Sequence, residues 1–574
     1  MEVALIAVIA VVVLVGASIL GGRIGVAAPL VLVVTGIGLG YLPFIPLIEI
    51  DPEVILLGVL PPLLYAAAVN VPLIDFRRNF RPIVGLSVVL VLISAVVIGF
   101  VLHFAVPAIP LPVAIALGAV ISPTDAVAAT SIGKRLGMPD RVVSILEGES
   151  LVNDATSLVL LKTALAAVAG SFAFSSAAGS FAFSVAAAIV IGGLIGIVTV
   201  WLRSKLRNPV YDTLISFTVP FVSFIPAEAM HASGVLAVVV TGLYTGHHAS
   251  RRFSATARMN ERLNWRTVQF ALENGVFLLM GLQLHALVES VGESPLRLEH
   301  VLLIALALVA ILIGCRALFT VPLIITMRSS ARKYEQRNQG LDNFAQRVQD
   351  FDAPDHPRVQ RAEILIERSR ADLEHNRTQQ LGWRDGVVLS WSGMRGVVTL
   401  AAAQSIPVEV PYRPQLILIA FTVAVITLLL HGLTLPPVIN KLWPNGSGAG
   451  ASAGELASLK GDLMEAANSA IDDALANAEP DQATIPPEVI ERARASAKNG
   501  LTPITLTRGA TGGIILPSEE TPARAYIRLA RLGLDAQRTA LLEERAIGRY
   551  SSQALRAAEL ALDAHETRLT PPGA

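Results

Sequence analysis

GAVISPTDAVAATSIG, residues 118–133, begins as an apolar helix and carries the means of breaking it. Gly118 to Ile121 continue a hydrophobic run, and Pro123 then removes a backbone donor and crowds the turn before it. Ser122, Thr124 and Asp125 flank the proline with oxygens that can take up the freed backbone groups. The reading is a helix interrupted at its middle, with carbonyl and amide ends left pointing into the gap.

Composition sets that helix in a membrane. The chain has 574 residues, 53% hydrophobic and only 16% charged, with mean hydropathy +0.59, far from an ordinary soluble domain. Apolar runs of about 20 residues, enough to cross a hydrocarbon core as helix, recur up to residue 443. About thirteen spans are expected, at roughly 3–20, 26–48, 53–70, 83–106, 111–131, 145–169, 181–202, 210–227, 231–247, 267–288, 300–327, 384–406 and 414–441. The first run lacks a basic leader and cleavage site, so it reads as a helix of the mature chain. A net charge of +0, from 45 basic and 45 acidic residues, gives no sign of nucleic acid as a partner. The single Cys315 excludes an intrachain disulfide framework.

Loop charges orient the spans. Lys and Arg collect on every second loop: Arg23; Arg77, Arg78 and Arg81; Lys134, Arg135 and Arg141; Arg203, Lys205 and Arg207; Arg251, Arg252, Arg258, Arg262 and Arg266. The alternate loops carry little beyond Arg297 and Arg413. An odd span count with this bias puts the N-terminus outside and the C-terminus in the cytoplasm of a multi-pass plasma-membrane protein. Two polar regions then face the cytoplasm. Residues 328–383 read as a helical hairpin around the breaker DAPDHP, inserted between spans eleven and twelve of a membrane domain covering 1–443. Residues 444–574 read as a Gly/Ser linker and a helical tail, whose apolar stripe suits packing on itself, on a partner subunit or on the membrane domain.

Span twelve holds a second interruption, LSWSGMRGVVTLAAA, where Gly393 and Gly396 flank Arg395. Spans five and twelve are an odd number apart, so they run in opposite directions, as two crossing broken helices of an inverted repeat do. Span six supplies the carboxylates. Glu147, Ser150, Asp154 and Ser157 form one helical stripe, and Glu149, Asn153 and Thr156 the adjoining one. Ionisable groups at helix centres cost roughly 2.5–3.5 kcal/mol each on insertion scales, so they face a cavity or a partner.

A midplane Asp154 can release a proton and take a hard monovalent cation in its place, helped by oxygens of Ser150, Asn153 and Thr124. One carboxylate serving both ions in turn yields exchange. Asn153 is neutral, so the pair carries one titratable charge. Asp125 either caps the broken helix or coordinates the ion. Glu149 is the expected counter-ion of a buried Arg395, and Glu147 joins that pair or lines the ion entrance. Lys162 and Arg316 divide between snorkelling and a site role. His231 beside Glu228, and His247 with His248, are candidate pH sensors.

SPTDAVA, EGESLVNDATSL, AEAMHASGVLAVVVTGL and SWSGMRGVVTLAAAQSIP resemble, in order and spacing, the monovalent cation/proton antiporters of the sodium/proton exchanger type, the NhaP and NHE group. The resemblance spans residues 1–443, and LLEERAIGRYSSQALRAAELALD is similar to the tail of bacterial members. It implies a homodimer, with a dimerisation domain beside a mobile core that works as an elevator. It puts the family's ion- and proton-binding carboxylate on Asp154, beside Asn153. It puts the Thr-Asp of the broken helix on Thr124 and Asp125, a further oxygen ligand on Ser150, and the structural ion pair on Glu149 and Arg395. Transported Na+ would lie at Asp154, Ser150 and Thr124. An Asn in the pair's first position is the form associated with electroneutral exchange. Where relatives often read LPPLLFEAALN, this chain reads LPPLLYAAAVN, with Ala66 in place of a carboxylate.

Two other classes compete with an Na+ (or Li+, K+)/H+ antiporter serving pH and sodium homeostasis. A cation channel on the same scaffold lacks a repeated carbonyl-filter motif. An intramembrane enzyme lacks an HExxH or Ser/Lys pattern, and without a Walker A loop no ATP is expected. No cofactor is expected either.

Overall fold

A computed structural model describes residues 2–42, 53–168, 174–206, 208–291, 298–332, 334–350, 356–407, 409–444, 453–477, 485–500 and 522–569. Every regular element among them is a helix. The order is α1 (Glu2–Ile24), α2 (Ala28–Gly40), a π-helical stretch (Val54–Val59) leading into α3 (Leu60–Asn70), α4 (Leu73–Arg78), and α5 (Phe80–Val84), joined through a second π stretch (Gly85–Val89) to α6 (Leu90–Ala105). Then follow α7 (Leu111–Ile121), α8 (Val127–Leu136), α9 (Asp140–Val168), α10 (Phe174–Arg203), α11 (Pro209–Ala229), α12 (Gly234–Arg252), α13 (Ala255–Val291) and α14 (Leu298–Arg332). The rest are α15 (Tyr334–Gln349), α16 (Pro357–Thr378), α17 (Trp383–Trp391), α18 (Val397–Gln404), α19 (Arg413–Leu442), α20 (Ala453–Ala476), α21 (Pro487–Gly500), α22 (Pro522–Ile547) and α23 (Ser552–Leu569).

Among the described residues, seven helices are long and apolar enough to cross a membrane, and four shorter apolar helices, Val8–Ile24, Ala28–Gly40, Val54–Asn70 and Leu111–Ile121, accompany them. This measure does not return thirteen full spans. The expected spans five and twelve are each two half-helices, α12 ends in the polar HHASRR, and residues 43–48 of the second lie outside the described residues. Most of the Gly/Ser linker and of the DAPDHP breaker also lies outside them, with Arg207 and Arg297.

Contacts group the chain into two compact units. The first comprises Met1–Ala249, Glu261–Ser330 and Gln380–Ala449. Its outward face is apolar: Phe104, Leu318 and Leu303 are 77%, 78% and 70% exposed, which suits lipid and not water. Where hydrocarbon lies outside, helices gain by close backbone approach over small residues. A Cβ added at Gly36 would meet the Leu278 carbonyl and lie 2.9 Å from the Gly281 Cα, so α2 and α13 cross in near-contact. Gly246 of α12 meets the Val69 carbonyl of α3 in the same way.

Several buried charges in this unit are matched. Arg203, expected on a loop, is 2% exposed at the end of α10. It grips Asp212 of α11 through both oxygens, at 2.8 and 2.9 Å, and Glu261 of α13 at 2.5 Å. Trp265 donates to Ser216 at 2.7 Å beside them. A guanidinium with two fixed carboxylates ties three helix ends together. Lys162 pairs with Glu228 at 2.5 Å on the surface, and His231 lies next to Glu228, its amide donating to the Glu228 carbonyl at 3.0 Å. His247 and His248 lie edge to face, 5.0 Å between ring centroids.

The second unit comprises Ser250–Asn260, Ala331–Gln379 and Gly450–Ala574. Helices α15 and α16 pair, with Arg370 and Asp342 bridged at 2.8 Å. In the tail, Leu459 and Leu463 of α20 close on Leu534 and Leu541 of α22 and on Leu555 and Leu562 of α23. The stripe read from the sequence is thus covered by the tail's own helices.

His565 is buried in that bundle, its Nε2 2.9 Å from the Ser496 hydroxyl. Burial, and then Arg568, holds its imidazole below the ordinary value. The folded tail favours the neutral ring, so the unfolded chain takes up the proton first as pH falls. Tail stability should therefore drop below about pH 6.5, by up to about 1.4 kcal/mol per pH unit. Hydrogen exchange of α21 to α23 against pH checks this; His565→Gln should flatten the dependence.

Candidate functional site

Two interruptions meet inside the first unit. α7 stops at Ile121 and α8 resumes at Val127; α17 stops at Trp391 and α18 resumes at Val397. The Asp125 amide donates to the Met394 carbonyl at 2.7 Å, a main-chain bond from one break to the other. Four half-helix ends therefore lie close together, two presenting carbonyls and two presenting amides.

Charged side chains answer those ends by sign. Arg395, 2% exposed, donates to the Ile121 carbonyl at 2.9 Å, to that of Ser122 at 3.5 Å and to that of Gly393. A cation thus covers the carbonyl end of α7. Arg316 of α14 donates to the Leu389 carbonyl at 2.7 Å and does the same for α17. At the amide end of α8, Asp125 Oδ1 accepts from Val127 N–H at 2.8 Å. The same carboxylate lies against Gly396, the residue before α18. Asp125 is thus a cap, with no hydrogen bond to its Oδ2 among the described residues.

The expected pair of Glu149 with Arg395 is not formed. Glu149 is held by Arg316 through two bonds, at 2.5 and 2.8 Å, and by the Thr124 hydroxyl at 2.7 Å. Arg395 is occupied by carbonyls, and Arg316 of α14 takes the carboxylate instead. Glu147 pairs with Lys134 at 2.6 Å, at a more exposed end of the helix.

Along α9 the other expected residues converge. Asn153 donates to the Thr124 carbonyl at 2.8 Å and hydroxyl at 3.2 Å, and the Ser150 hydroxyl accepts from Ala126 N–H at 3.3 Å. Asp154 is 8% exposed, and among the described residues no donor reaches its carboxylate. The Asn153 Oδ1 beside it is fully buried and also without a donor. Among the described residues a carboxylate, an amide oxygen and Asp125 Oδ2 are therefore left without donors, while the Thr124 hydroxyl is committed to Glu149. Unpaired oxygens of this hard type suit a small monovalent cation or a proton. Ala66 is buried among Tyr65, Leu151 and Ala155 and adds no oxygen.

Two residues escaped the reading of the sequence. Arg316 was left between two roles. Glu273 of α13, held by Gln269 at 2.7 Å, interacts electrostatically with Asp125; its signal was an ionisable group inside the apolar run 267–288.

Gly396 leaves no room for a side chain. Its φ of −128° is open to any residue, but a Cβ there would collide with the Asp125 carboxylate. Gly396→Ala should displace Asp125 and reduce transport by about a hundredfold, the scale of a 1 Å misplacement in a site. Transport assays on the purified variant check it.

Two broken helices meeting beside an unpaired buried carboxylate are the arrangement in which many secondary membrane carriers build an ion site. The family model for the sodium/hydrogen exchanger, transmembrane, matches residues 7–441, and the chain belongs to that family. An uncharacterised Na(+)/H(+) exchanger of Mycobacterium tuberculosis is 28% identical over 564 residues, covering 97% of this chain and 94% of that protein. The Na(+)/H(+) antiporter ApNhaP of Aphanothece halophytica is 28% identical over 417 residues, 72% of this chain and 69% of its own. A sodium, potassium, lithium and rubidium/H(+) antiporter of Bacillus pumilus is 27% identical, covering 72% of this chain and 58% of that one. The fold is similar to that of the sodium proton antiporter MjNhaP1 from Methanocaldococcus jannaschii, with TM-score 0.56 and 17% identity over 77% of this chain and 99% of that one.

Proposed function

We propose that this protein exchanges a monovalent cation, Na+ first and Li+ or K+ as alternatives, for H+ across the plasma membrane, with Asp154 binding either ion in turn. The observation that carries the reading is the carboxylate of Asp154, buried beside two meeting helix breaks and without a donor among the described residues. Asn153 Oδ1 and Asp125 Oδ2 complete the cation's oxygens, with Ser150 and Thr124 shaping the pocket. One proton replaces one cation, so exchange is electroneutral and serves intracellular pH and sodium balance.

The remaining architecture follows the family's pattern. The protein works as a homodimer in the bilayer, with residues 1–443 as the membrane domain, 328–383 inserted in it and 444–574 as the tail. The core moves as an elevator, with the N-terminus outside and the C-terminus in the cytoplasm. Potassium stands as a second reading because the Bacillus pumilus relative is named for potassium among its cations.

Proteoliposomes with an entrapped pH dye test the function. With a proton gradient imposed, addition of Na+, Li+ or K+ should dissipate it at a saturable rate that clamping the membrane potential leaves unchanged. No response to any cation would reject exchange, and a non-saturating current would favour a channel.

A further inference from the structure

At the end of α10 one guanidinium faces two carboxylates. Arg203 takes up both oxygens of Asp212 and the Oε1 of Glu261, and all three side chains are at most 5% exposed. No other cation bonds to either carboxylate among the described residues, so with both ionised the cluster keeps one buried negative charge in excess. Trp265 of α13 donates to Ser216 of α11 at 2.7 Å, and the Ser216 hydroxyl lies 3.5 Å from the same Glu261 oxygen. The ring of Tyr65, from α3, packs on Trp265 with 4.9 Å between centroids, and Tyr65 interacts electrostatically with Glu261 and Arg203. Close packing of α12 on α3 brings Thr245 beside Tyr65: a Cβ added at Gly242 would lie 3.3 Å from the Tyr65 carbonyl.

Three oxygens at this cluster have no hydrogen bond among the described residues. The Tyr65 and Thr245 hydroxyls are fully buried, and neither meets hydrogen-bond geometry with the other or with any neighbour. Glu261 Oε2 accepts from nothing, since both donors to this carboxylate reach Oε1. An unpaired buried hydroxyl is costly, and an uncompensated buried charge costs more. A proton on Glu261 would neutralise the charge and give one donor to three oxygens. A small cation balances the charge and is shared by all three. Hard cations gather several oxygens at about 2.3–2.6 Å, which leaves those oxygens farther apart than hydrogen-bonded ones. One charge in excess selects a monovalent ion.

We propose that the Arg203 cluster is a second cation site, which holds one non-transported alkali cation, Na+ first, on Glu261 Oε2, the Tyr65 hydroxyl and the Thr245 hydroxyl. The ion joins α3, α12 and α13 where Arg203 already joins α10, α11 and α13, so it fixes five helices at one point. It shares no ligand with Asp154 on α9, and the site does not depend on the antiporter reading above.

Thermal melting of the full-length Asp154→Asn protein tests this, with Na+, Li+ or K+ replacing choline at constant ionic strength. Without the transport carboxylate, the melting temperature should still rise saturably with an alkali cation. Tyr65→Phe in that background keeps the ring on Trp265 and removes one ligand. The half-saturating cation concentration should then increase by about tenfold or more, the scale of one lost bond to a charged group. Glu261→Gln should abolish the cation effect, and if that variant does not fold, Tyr65→Phe decides alone. A melting temperature indifferent to the cation, or a cation response that Tyr65→Phe leaves unchanged, overturns the proposal. Failure of the wild type to exchange ions in proteoliposomes, with the cation response of melting retained, would reject the antiporter reading and leave this site standing.

Discussion

Asp154→Asn is expected to abolish cation/proton exchange, by at least about a hundredfold, the lower range for losing a positioned acid–base group, while the protein stays folded. Asparagine keeps the shape of the side chain but can neither release a proton nor carry a charge. Nothing in the packing depends on the carboxylate, since no donor reaches it among the described residues. A buried unpaired charge is a cost to folding, so its removal should leave thermal stability equal or higher. Flux in proteoliposomes and thermal melting of the purified variant check both halves. Loss of exchange together with loss of fold would make Asp154 a structural residue.

Arg316→Met should have the opposite profile. The Arg316 and Glu149 side chains are 3% and 2% exposed, and removing the cation strands a carboxylate that keeps only the Thr124 hydroxyl. Breaking a buried pair from one side costs about 3–5 kcal/mol, against little or nothing when both partners become neutral and well packed. The single variant should therefore melt far below the wild type, and Arg316→Met with Glu149→Gln should recover much of the loss. If Arg395→Met is instead the variant that Glu149→Gln rescues, Glu149 pairs with Arg395, as the sequence suggested.

That exchange of partners shows where the sequence was legible. Both helix breaks were readable because proline at 123 and glycines at 393 and 396 act on the backbone locally. The polar stripe of α9 was readable because helical spacing alone puts Ser150 and Asp154 on one side. Spacing along one helix says nothing about which distant cation arrives. Arg316 and Arg395 both lay in apolar runs, and only the packing of α14 and of the α17–α18 break assigns one to Glu149 and the other to carbonyls. Asp125 was left between capping and coordination; its bond to Val127 makes it a cap and leaves its second oxygen over, so the two roles are compatible. Arg203 was misplaced because an arginine at a helix end looks like a loop charge until Asp212 and Glu261 enclose it.

The central claim is that one carboxylate holds either a proton or a cation. Its most direct test is proton release on cation binding to the purified protein, in weakly buffered detergent solution with a pH dye. Saturating Na+, Li+ or K+ should release close to one proton per protein from the wild type and none from Asp154→Asn. Cation binding without proton release, or equal release from both proteins, would contradict the account.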